Sequence, residues 1–187
     1  MHAHALDNLR YIRETMERAS FFTALPGVGI VLIGLTALEA ASLASHYNRE
    51  VWLAVWLLEA VMASAIGFIG AAIKARRVNI PLLSGPGRKF LLGFAPPLVA
   101  GAILTFALFR ADETSLLPGV WLLLYGTGVL CGGAASVRII PVMGACFMLI
   151  GALVLAAPPA LGNLYLAAGF GGIHILFGII ITVKYGG

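Results

Sequence analysis

The chain has 187 residues, 60% of them hydrophobic and only 11% charged, with a net charge of +4. Ordinary soluble domains carry roughly 45–50% apolar and about 25% charged residues, so the composition argues against a soluble globular fold. The positive balance is explained by the placement of basic residues around apolar segments, as shown below, and calls for no nucleic acid.

The first 22 residues are charged and amphipathic. Leu6, Leu9, Ile12, Met16 and Ala19 recur at helical spacing, while Asp7, Arg10, Glu14, Glu17 and Arg18 occupy much of the remaining surface. This pattern predicts a cytoplasmic interfacial helix over residues 1–22, with Arg10, Arg13 and Arg18 facing anionic lipid headgroups. A docking surface for a cytoplasmic partner is the alternative. The segment lacks an apolar core ending at a small-residue cleavage site, so the mature chain is expected to begin near Met1.

Residues 23–187 carry six apolar stretches, at 27–45, 51–73, 90–109, 119–137, 140–157 and 164–183. A helix of about 20 apolar residues crosses the ~30 Å hydrocarbon layer at ~1.5 Å per residue. None of the six alternates polar and apolar as a barrel strand must. The expected fold is therefore an all-α integral membrane protein with six transmembrane helices. The fourth and fifth are separated only by Arg138 and Ile139 before Pro141, which predicts a tight turn.

Between the second and third spans, Ile80-Pro81-Leu82-Leu83 lies between basic clusters that include Arg76, Arg77, Arg88 and Lys89, again suited to lipid headgroups. Gly85-Pro86-Gly87 in this loop lacks the context of a phosphate-binding loop and reads as a turn. Pro96-Pro97 is expected to kink the third helix. Gly128 and Gly132, Gly67 and Ala71, and Ala167, Gly171 and Gly178 suggest close approach of helices two, four and six as an inner ring. These three helices each open on an aromatic residue and end on a basic one, which suggests three helical hairpins in pseudo-repeat. Generic membrane patterning produces the same signal.

Of the 12 basic residues, ten fall at one end of the six-span arrangement, leaving Arg49 and Arg110 at the other. By the positive-inside rule both termini are cytoplasmic, in an inner membrane of bacterial type. Cys131 and Cys146 fall within spans and show no metal spacing, so they read as packing residues.

The polar residues inside the spans carry the functional question. Glu39 lies seven residues before His46 and Glu59 nine beyond Glu50, which places both ~10–14 Å deep at the helical rise. An acid in hydrocarbon costs at least ~2.5 kcal/mol and normally faces the bundle interior with a partner. Tyr125 and Thr127 reach the same level, Thr105 comes near it, Thr36 lies one turn from Glu39, and His174 sits near mid-membrane.

Three roles fit this layer. Protonated Glu39 and Glu59 would fix helix register through hydrogen bonds; or the layer is a proton or cation site with His174 as a relay; or it lines a pocket for a cofactor or lipid. The sequence names no cofactor, and haem fits poorly because only His174 lies deep in a span. HExxH, GxSxG and other catalytic patterns do not occur, so no enzymatic activity is expected. The expectation is a transporter-like module with a proton- or cation-responsive carboxylate layer. A non-catalytic accessory subunit of a larger membrane complex is the alternative, and either would place a second copy or other membrane subunits among its partners.

Overall fold

The computed structural model describes residues 9, 11–12, 26–77, 81, 83, 85–134 and 136–185. Most of the expected amphipathic segment 1–22, with Arg10, Arg13 and Arg18, lies outside the described residues; Leu9, Tyr11 and Ile12 are helical and exposed. The described chain is all-helical: α1 (Gly27–Ala44), α2 (Arg49–Arg77), α3 (Gly85–Arg110), α4 (Leu117–Gly133), α5 (Ile139–Ala156) and a composite α6 (Pro159–Tyr185). A 3-10 turn, Thr114–Leu116, leads into α4. All six, the fourth taken together with its 3-10 turn as Thr114–Gly133, are long and apolar enough to cross a membrane.

Helix ends depart from the apolar stretches because hydrogen bonding continues past the point where hydropathy falls. α2 begins at Arg49 and runs on through Lys74 and Arg77, and α3 starts at Gly85 and passes uninterrupted through Pro96-Pro97 to Arg110. The fourth helix stops earlier than expected, at Gly133. Ser136 donates its backbone N–H to Gly133 O at 2.9 Å, and a Cβ on Gly133 would sit 2.6 Å from Ile140 Cγ2. The chain reverses over this bare backbone, and α5 begins at Ile139.

Helix neighbours form two triplets: α1 lies between α2 and α6, and α4 between α3 and α5. Two glycine seams close them. A Cβ on Gly34 would lie 2.7 Å from Gly171 O, and one on Gly178 would lie 2.9 Å from Gly27 O, so α1 and α6 run antiparallel with backbones nearly touching. In α4 and α5, Gly126 and Gly144 face each other's carbonyls at 2.7 Å, and a Cβ on Gly151 would meet Gly119 O at 3.0 Å.

The expected inner ring of helices two, four and six is thereby corrected. Half of the apolar window of α4 is buried and 44% of those of α1 and α6, against 11% for α2 and 6% for α3. The reason is the spacing of the bare positions: Gly27 and Gly34 give α1 a complete heptad step against α6. Gly67 of α2 has only Ile33 Cδ1 nearby, at an ordinary 3.7 Å.

Candidate functional site

Three polar groupings sit inside the bundle. In the first, Thr36 of α1 donates its hydroxyl to Glu59 Oε1 of α2 at 2.9 Å. Glu59 is only 4% exposed, and its Oε2 has no hydrogen-bond partner among the described residues. Glu59 lies ten residues into α2, ~15 Å along the axis and so near the middle of a bilayer-sized span. The same hydroxyl oxygen lies 3.0 Å from Ile33 O and 3.2 Å from Leu32 O of its own helix, acceptors that compete with Glu59 Oε1 for its single proton.

The second grouping is aromatic. Tyr125 Oη lies 2.7 Å from His174 Nε2, and His174 Nδ1 lies 2.8 Å from Phe170 O. A carbonyl can only accept, so Nδ1 carries a proton; in the neutral ring Nε2 then accepts the tyrosine hydroxyl. Phe147 packs edge-on against Tyr125 at 4.8 Å and His174 at 5.1 Å, and Phe170 and Phe94 meet Tyr125 at 5.2 and 5.8 Å. The Phe170 carbonyl is presented by a π-helical stretch, Ala167–Ile173, after which the His174 backbone N–H turns to Gly171 O. Such π segments are local distortions of an α-helix, often found at functional positions.

The third grouping bridges the helices near the α1–α2 turn. Asn163 Oδ1 accepts the indole N–H of both Trp52 and Trp56 at 3.1 Å, while its Nδ2 donates to Ala41 O at 2.7 Å. Trp52 stacks on Trp121 with centroids 5.5 Å apart and planes 3° from parallel. Trp121 donates to Thr105 Oγ1 at 2.8 Å, and Thr105 donates to Gly101 O at 2.7 Å. Beyond this network Arg49 pairs with Asp112 and lies 5.0 Å over the Phe109 ring, joining the two connections at this end.

The expected layer is joined by different hydrogen bonds than a carboxyl pair would make. Glu59 pairs with Thr36, which puts it one turn away from the level of Glu39. Glu39 is exposed on the perimeter of α1 and makes no hydrogen bond or ion pair with any described residue. Tyr125 and His174 are brought together, but with each other and not with either carboxyl. Thr127 donates to Leu123 O of its own helix at 2.8 Å. Arg76, Arg77, Arg88 and Lys89 are exposed at one end of the bundle, on α2 and α3.

Asn163, Trp52 and Trp56 were not among the expected site residues. The available signal was an amide at the edge of an apolar stretch and two tryptophans four residues apart, hence on one helix face. Chemically, the arrangement offers a buried acid with one unpartnered oxygen, a hydroxyl neighbour, and a second carboxyl, Glu39, within electrostatic reach. Among the described residues no three of His, Cys, Asp and Glu converge. Comparison with known proteins finds no matching family model, no similar curated protein and no similar solved structure.

Proposed function

We propose that the protein is a small multi-pass protein of a bacterial-type inner membrane, with both termini cytoplasmic, acting as a transporter-like module in which Glu59 binds and releases a proton. The observation that carries this reading is the buried Glu59 carboxyl with one oxygen bound by Thr36 and the other unpartnered. An unpaired carboxylate away from water costs several kcal/mol, whereas the neutral acid is tolerated, so binding a proton is the economical chemistry for this carboxyl. A divalent cation would need about six oxygen ligands, and the carboxyl with one hydroxyl supplies three at most.

His174, proposed from sequence as a relay, has both ring nitrogens engaged by Tyr125 and Phe170. In this conformation both nitrogens are hydrogen-bonded within the aromatic cluster and neither is bonded to Glu39 or Glu59. It serves as a lock between α4 and α6.

The test is proton flux in proteoliposomes carrying an internal pH dye, after an external acid step. Wild-type vesicles should equilibrate faster than protein-free ones. Glu59→Gln should reduce the rate on the order of tenfold or more, as expected where a single group carries the transfer, with little change in thermal stability because the amide keeps the shape. Equal rates in wild type and Glu59→Gln would overturn the proton-site reading. A second reading, an accessory subunit, is favoured by the small buried shares of α2 and α3, 11% and 6%, which leave both faces open to partner helices.

A further inference from the structure

α1 carries two seams. One, built on Gly27, Ile30, Gly34, Ala37, Ala41 and Ala44, is buried against the bundle. On the opposite side Val28, Leu32, Leu35, Glu39 and Ser42 are all exposed, with His46 exposed in the turn just beyond the helix, and they follow one another in alternating steps of four and three residues. Alternating steps of four and three keep these positions on one face of the helix, the spacing used by helix-packing seams. We infer that this stripe is the interface of a parallel homodimer, with Glu39 of one copy hydrogen-bonded to Glu39 of the other.

The occupant follows from the chemistry of Glu39. Its carboxyl lies inside a span, on the outer surface, with no hydrogen-bond partner among the described residues. Lipid chains supply neither donor nor acceptor, and polar groups in spans find partners on neighbouring helices. A carboxylic acid is both donor and acceptor, so it is its own complement. Copies inserted in the same orientation hold Glu39 at the same depth, and a two-fold axis along the membrane normal brings like residues together. The neighbouring layers agree with this arrangement. Leu35 and Leu32 continue the seam toward one end as apolar contacts, while Ser42 and His46 continue it as polar ones toward the α1–α2 turn. A polar residue within a helix-packing seam can fix its register.

This inference rests on the membrane-spanning reading and is independent of proton transfer at Glu59. Single cysteines at Leu32, Leu35 and Ser42, introduced one at a time with Cys131→Ala and Cys146→Ala, should form disulfide-linked dimers in native membranes under copper-phenanthroline oxidation. Leu149→Cys and Leu153→Cys, on the exposed face of α5, serve as controls and should not. Glu39→Gln should keep the cross-links, because an amide also pairs with itself, whereas Glu39→Leu should lower their yield on the order of tenfold. Absence of cross-linking along the stripe, or equal yields at the α5 controls, overturns the dimer. If the same chains resist carbonate extraction in that case, lipid or another protein covers α1 and the membrane reading stands. Loss from carbonate-washed membranes overturns both readings.

Discussion

Asn163 joins three helices through one amide, accepting from Trp52 and Trp56 of α2 and donating to Ala41 of α1. Removing it strands two indole donors and leaves Ala41 O without this donor, so Asn163→Leu is predicted to cost about 1–3 kcal/mol, read as a lower melting temperature in detergent. Trp52→Phe, which removes one of the two donors, is predicted to cost less in the same assay. A melting temperature unchanged by Asn163→Leu would show that the clasp does not hold the helices together. At this scale the sequence pointed to Glu59 as an acid in hydrocarbon, because hydropathy makes any charge in a span conspicuous. It did not show that Thr36, one turn from Glu39, would be the hydrogen-bond partner of Glu59. The rotation of α1 about its own axis is set by Gly27 and Gly34 against α6, and it turns Glu39 outward while leaving Thr36 facing α2. Asn163 escaped notice because an uncharged amide at a span border is ordinary.

Between elements, backbone proximity at the two glycine seams decides the architecture. Gly126 and Gly144 each face the other's carbonyl at 2.7 Å from where a Cβ would stand, a distance at which backbone must move. Gly126→Val is accordingly predicted to destabilise by about 1–3 kcal/mol or more through overpacking. Gly172, around which a Cβ would find nothing within 4 Å, accepts Ala with little loss. Comparable melting of the two variants would refute the seam. Span number was legible from apolar length alone, and the six stretches reappear with shifted ends. Which helices form the interior was not legible, since glycine abounds in most of the spans and only the pairing of Gly27, Gly34, Gly171 and Gly178 reveals the partner of α1. The π segment of α6 left no periodic signal in a stretch that is apolar all round.

At the level of the whole molecule, the same geometry occurs twice. Leu32-Ile33-Gly34 in α1 and Leu149-Ile150-Gly151 in α5 each end on a glycine packed against an antiparallel neighbour, α6 or α4. The two triplets meet through the Trp52–Trp121 stack and through the aromatic cluster of Tyr125, Phe147, Phe170 and His174. Glu59 is thus an acid held on the flank of a tightly closed α1, with its free oxygen away from water.

The most direct measurement of that state is the pH-difference infrared spectrum of the protein reconstituted in bilayers. The account predicts a protonated-carboxyl band that diminishes as pH rises, with a component that Glu59→Gln removes and Glu39→Gln leaves in place. A spectrum in which Glu59→Gln removes no carboxyl component would contradict it.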